Sequence, residues 1–109
     1  MTSRSSGDIT IIEVDGRMTL GPAVGDFADA VSLAAGAVLV DLAEVTYIDS
    51  AGIGQLIGSM KAVTGTGRKF GLLRVNARVQ GLMKLTGVNS LFQFFNSEES
   101  ALAAFEKLG

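Results

Sequence analysis

Apolar residues fall into two kinds of stretch that alternate along this chain. Short, nearly unbroken runs occupy residues 9–14 (ITIIEV), 37–42 (AVLVDL) and 70–75 (FGLLRV). Runs of that length, rich in β-branched residues, predict strands, and the AVLVDL run suits a strand buried on both faces. Between them the spacing changes. Val24, Phe27, Ala28 and Val31 recur at i, i+3, i+4 and i+7, and so do Ile53, Leu56, Ile57 and Met60. That period lays one apolar stripe along a helix. A third helical face carries Val79, Leu82 and Met83, and a terminal one carries Leu102, Phe105 and Leu108.

Turn and cap residues punctuate the pattern. Asp15-Gly16 predicts a tight hairpin, with residues 17–20 returning as a short strand. Gly21-Pro22 opens the first helix, because proline fits a first-turn position, and Gly36 suits its stop. The second helix is expected over residues 50–63, ended by Gly65-Thr66-Gly67. Asn76 is placed to cap the third helix, with Gly87 past its end. Residues 91–95 suit a last short strand, and Asn96 with Glu99 has capping-box spacing ahead of the fourth helix. Residues 1–7 are polar and are expected to be a disordered N-terminal tail; residues 8–109 then form a single α/β domain. Its predicted architecture is a mixed central sheet of four to five strands, largely parallel in its middle, with about four flanking helices.

Composition narrows the function. A chain of 109 residues holds one core, and 48% hydrophobic with 18% charged residues makes it globular. The net charge of −2 and the lack of a basic run count against nucleic acid as a partner. No stretch approaches the ~20 apolar residues of a membrane span, and residues 1–8 lack a signal peptide's apolar region, so neither direct membrane insertion nor export is expected. There is no Cys and no His. That excludes disulfides, the usual zinc ligands and a Ser-His-Asp or Cys-His nucleophile. Gly65-Thr66-Gly67-Arg68-Lys69 lacks the phosphate-loop spacing, and carboxylates such as Asp41 and Asp49 have no visible acid–base partners. No metal, no cofactor and no catalytic residue are therefore expected; the chain should not be an enzyme but should act by binding a partner.

The candidate surface is the corner Asp49-Ser50-Ala51-Gly52. It lies where a strand's carboxyl end meets a helix N-terminus, the usual place for sites in open α/β sheets. Either Asp49 or Ser50 can cap the helix. The buried Ile53 stripe leaves Ser50 on the outside. Ser50, Gly54 and Gly58 are four apart and share one side of the helix. Each interior glycine costs the helix about 1 kcal/mol relative to alanine. Such a strip suits either tight packing inside the domain or close approach by another protein. Thr19, Thr46 and Thr86 are further hydroxyls, better explained as turn or cap residues.

At this corner the chain resembles a known family. VLVDLAEVTYIDSAGIGQLI, residues 38–57, is similar to the signature of STAS domains, specifically of bacterial anti-sigma-factor antagonists. GRMTLG (16–21), FGLLRVNARVQGLMKLTGV (70–88) and FQFFNSEESALAAF (92–105) follow the family's order. The resemblance implies a cytoplasmic protein that binds an anti-sigma factor, itself a serine kinase of the GHKL type, and so frees a sigma factor. It implies that the kinase phosphorylates Ser50 and switches the antagonist off, and that a PP2C-type phosphatase restores it. Asp49 matches the acidic residue that supports docking and phosphorylation, and Gly52 the motif glycine. Ala51 replaces the second serine of many members, which leaves Ser50 as the motif's one hydroxyl. The expected partner-binding set is Asp49, Ser50, Ala51, Gly52, Gly54 and Gly58. Other members of the family serve as unphosphorylated scaffolds or transporter-associated modules, which is the alternative.

Overall fold

A computed structural model describes residues 1–18 and 22–107, with residues 22–25 and 107 described by their backbone alone. Five strands form one sheet in sequence order: β1 (Thr2–Ser6), β2 (Ile9–Met18), β3 (Ala37–Ile48), β4 (Phe70–Leu73) and β5 (Phe94–Phe95). β1 pairs antiparallel with β2, and every later pair is parallel. Helices α1 (Pro22–Leu33), α2 (Ser50–Thr64) and α3 (Ala77–Leu85) connect the parallel strands, and α4 (Glu98–Lys107) ends the chain. The mixed sheet and the four helices agree with the architecture predicted from the sequence.

Parallel strands laid down in order, with crossovers of one hand, put their connecting helices on one face. The main core accordingly joins Phe27 and Val31 of α1, Ile53, Leu56 and Val63 of α2, and Val79 and Met83 of α3. β3 supplies Val38, Val40 and Leu42 to that side. Its alternate residue Leu39 faces a second, smaller core with Ile9, Ile11 and Leu73, covered by Ala101 and Phe105 of α4. Burial on both faces explains why the AVLVDL run carries no polar alternation until Asp41.

Several local expectations change. Residues 2–6, expected as part of a disordered tail, form the edge strand β1, in register from Thr2 opposite Glu13 to Ser6 opposite Ile9. Main-chain pairing holds it, so its polar side chains remain compatible with an exposed edge. The hairpin turn is at Gly7 (φ 61°), not at Asp15-Gly16. There β2 continues to Met18 through two register shifts, with Gly16 at φ 73°. A positive-φ glycine serves a bulge as well as a turn, and sequence alone does not separate the two. Of the expected return strand, residues 19 and 20 lie outside the described residues, as does Leu108. β3 runs without a break to Ile48. Residues 89–91 form a 3₁₀ turn, which shortens the last strand to Phe94–Phe95. The fourth helix is capped by Ser97, whose Oγ accepts from the Ser100 N–H at 3.1 Å, rather than by Asn96 with Glu99.

Candidate functional site

β3 delivers the corner. Ile48 ends the strand with its side chain 1% exposed, anchored in the main core. Asp49 then takes extended backbone angles (φ −109°, ψ −174°) and caps α2: its Oδ1 accepts from the Gly52 N–H at 2.9 Å. Its own carbonyl accepts from the Ile53 N–H at 2.9 Å. This settles which residue caps. Ser50, the first residue of α2, is exposed, and its hydroxyl makes no hydrogen bond among the described residues.

Gly52 has a different role from the one its motif position suggested. It is buried beneath the end of β2. A Cβ there would lie 2.1 Å from the Met18 carbonyl oxygen and 2.8 Å from Ile48 Cγ1. The Asp49 N–H also points to that carbonyl, at 3.4 Å. Gly52 therefore seats the helix against β2 and offers a partner no surface. Ala51 is half-buried.

Gly54 and Gly58 are exposed, and among the described residues a Cβ at either would meet no atom within 4 Å. Among the described residues, nothing packs tightly against these glycines. They line an open groove of about 250 Å³ between α1 and α2, with Ala28, Val31, Gln55 and Ala62. The corner therefore combines a free hydroxyl with a smooth strip, on a helix fixed by its buried Ile53 and Leu56. A helix N-terminus carries roughly half a positive charge, and α2 has no acidic residue in its first turn.

Three contacts escaped the sequence reasoning. The Arg17 guanidinium stacks over the Tyr47 ring at 4.6 Å. The Met18 carbonyl is the seat just described. Asp41 is buried within β3; it pairs with Arg74 and accepts from the Ala43 N–H at 3.0 Å. The hydrogen bond that Arg74 donates to the Asp41 carboxylate raises the Arg74 pKa above its ordinary value. Arg74 has φ 54°, an unusual backbone for a non-glycine residue, and its N–H donates to the Phe95 carbonyl at 2.8 Å. By strand alternation Asp41 points with Leu39 toward α4, away from α2. None of these contacts could be read along the chain, because each depends on strand register. The only tyrosine lying three residues before Ser50 was the one available signal.

Thr46 Oγ1 donates to the Gly16 carbonyl and Thr86 Oγ1 to the Leu82 and Met83 carbonyls, so both hydroxyls are engaged. Thr19 lies outside the described residues. Among the described residues no three acidic side chains gather as a metal site requires, and no helix is long and apolar enough to cross a membrane.

The described residues form a mixed sheet with three helices on one face and present a serine at the start of the second. The chain belongs to the STAS domain family, which matches residues 1–101. It is 37% identical over 54 residues to an anti-sigma-B factor antagonist of Staphylococcus epidermidis. That match covers 50% of each protein, so the chain spans about half the length of the curated relatives it matches. A putative anti-sigma factor antagonist from Thermotoga maritima superposes with a TM-score of 0.86 at 17% identity, over 96% of this chain and 93% of that one. The Bacillus cell fate determinant SpoIIAA in its phosphorylated form superposes with a TM-score of 0.68 at 15% identity, over 94% and 96%.

Proposed function

We propose that this protein is an anti-sigma-factor antagonist switched by phosphorylation of Ser50. In its unmodified form it binds, in the cytoplasm, an anti-sigma factor that is also a GHKL-type serine kinase, and the sigma factor is released. The observation that carries this reading is the free, exposed Ser50 hydroxyl at the start of α2, with Asp49 alone engaged as the cap. The antagonists among its relatives and the solved phosphorylated form of SpoIIAA support it.

The chemistry belongs to the partners. Ser50 Oγ attacks the γ-phosphorus of ATP bound to the kinase, ADP leaves, and the hydroxyl proton passes to the kinase's base. A PP2C-type phosphatase returns the serine and inorganic phosphate by hydrolysis. This chain presents the hydroxyl and catalyses neither step. The phosphate adds about −1.5 to −2 charges. The helix N-terminus tolerates them, an effect of ~0.3–1 kcal/mol when exposed, while Asp49 repels them. The Ser50 side chain is exposed and its hydroxyl makes no hydrogen bond among the described residues, so the modification should change the surface and leave the core alone. The docking surface runs from Asp49, Ser50 and Ala51 along Gly54 and Gly58, with Gly52 supporting it from beneath.

The test is to incubate the protein with ATP and the GHKL-type serine kinases of its source genome, then map the product by mass spectrometry. One phosphate on Ser50 is expected. Ser50→Ala should bind the kinase but stay unmodified, and Ser50→Asp should bind weakly. Phosphate on another residue overturns the switch, and a stable complex indifferent to Ser50→Asp favours a scaffold.

A further inference from the structure

Arg17 is set apart from most of this chain's five arginines. Arg4 is tied to Glu13 and Glu98, Arg74 to Asp41, and Arg68 to the carbonyls of Ala34 and Gly36 at 2.8 and 3.0 Å. Arg17 is exposed and reaches no carboxylate among the described residues. Its guanidinium instead lies 4.6 Å from the centre of the ring of Tyr47, the chain's single tyrosine, in a sequence without tryptophan.

This pair has a defined place. Arg17 is opposite Tyr47 in the β2–β3 ladder, one step before Met18 opposite Ile48. The Met18 carbonyl receives the Asp49 N–H and closes over Gly52. The stacked pair is thus built into the same ladder end that fixes the corner, and Tyr47 precedes Ser50 by three residues. A guanidinium stacked on a ring keeps its planar fork of donors toward solvent, already ordered, so less freedom is lost when an anion docks. Arginine and tyrosine are enriched among the residues that dominate interface energetics. A free, ordered fork calls for a carboxylate.

We propose that Arg17, held on Tyr47, is an anchor of the partner interface and docks an acidic side chain on the surface of the kinase that also contacts Ser50. The inference rests on the switched-antagonist reading and adds to it a specificity-determining residue outside the motif. It also gives the partner a chemistry: a carboxylate placed to meet the ladder end while the kinase's nucleotide faces Ser50.

The experiment is calorimetric and stopped-flow titration of the kinase identified by the phosphorylation assay, without ATP, at two salt concentrations. Arg17→Glu should weaken binding by about 30-fold or more, and Arg17→Gln and Tyr47→Leu by about 5- to 10-fold. Arg17→Gln should also flatten the salt dependence of the association rate, which a purely structural pair would leave unchanged. Circular dichroism melts of each variant show whether the fold persists, and Arg17→Gln serves if Arg17→Glu does not fold. Wild-type protein that binds while Arg17→Gln binds within twofold and keeps the same salt slope overturns the anchor alone. Wild-type protein that binds no such kinase overturns the anchor together with the function beneath it.

Discussion

Replacing Gly54 and Gly58 by alanine should make this protein more stable and worse at its work. Both lie inside α2, where glycine costs a helix about 1 kcal/mol relative to alanine. Among the described residues the added methyl groups would meet no atom within 4 Å, so neither clash nor new packing there offsets that gain. The double variant should therefore gain about 2 kcal/mol, or roughly 8–16 °C in midpoint for a domain of this size. Binding should move the other way. If the strip receives a partner's backbone or side chains, two methyl groups overfill the contact at about 1–3 kcal/mol, a 5- to 150-fold loss of affinity. Urea and thermal unfolding measure the first effect, and calorimetric titration with the proposed kinase partner measures the second. A destabilised double variant would refute the open-strip geometry. A stabilised one with undiminished affinity would refute the docking role and leave the glycines without a functional account.

Other substitutions probe the frame around the strip. Gly52→Ala should destabilise by about 2–4 kcal/mol, because its Cβ has to displace the Met18 carbonyl rather than a flexible side chain, and urea unfolding reads this directly. Asp49→Ala should cost about 1 kcal/mol through the lost cap on the Gly52 N–H, visible as a lower midpoint even where no partner is present. Arg74→Ala should leave the buried Asp41 carboxylate with the Ala43 N–H as its remaining partner, at a cost of about 2–4 kcal/mol, lessened because Arg74 itself is half-exposed; a variant as stable as wild type would contradict this. The Glu98 carboxyl is held below its usual range chiefly by the hydrogen bond it accepts from Arg4. The stability this brings is present above the unfolded glutamate pKa and is lost as pH falls through the lower folded value, so Arg4→Gln should shallow the acid limb of a stability–pH curve.

How far the chain could be read without its fold differs from feature to feature. The helix stripes of Phe27 and Val31, of Ile53 and Leu56, and of Val79 and Met83 were legible, because burial at a 3.6-residue period is written directly into residue order. So was the position of Ser50, since an apolar strand followed by the Ile53 helical stripe requires a corner between them, although the unbroken run of β3 to Ile48 came only with the structure. Features made by one strand's alignment against another were not legible. Gly7 and Gly16 both have positive φ, yet one turns a hairpin and the other sits at a bulge; pairing partners decide which. Strand β1 is polar throughout and is held by main-chain pairing, to which hydrophobic patterning is blind. Asp49 and Ser50 competed as caps on paper, and only the extended backbone at Asp49 and its bond to the Gly52 N–H decided between them. The glycines of α2 divide in the same way. Residue order shows the spacing of Gly52, Gly54 and Gly58, but the packing of β2 over the helix start makes the first a seat and leaves the other two open, because what a missing side chain makes room for depends on neighbours distant along the chain.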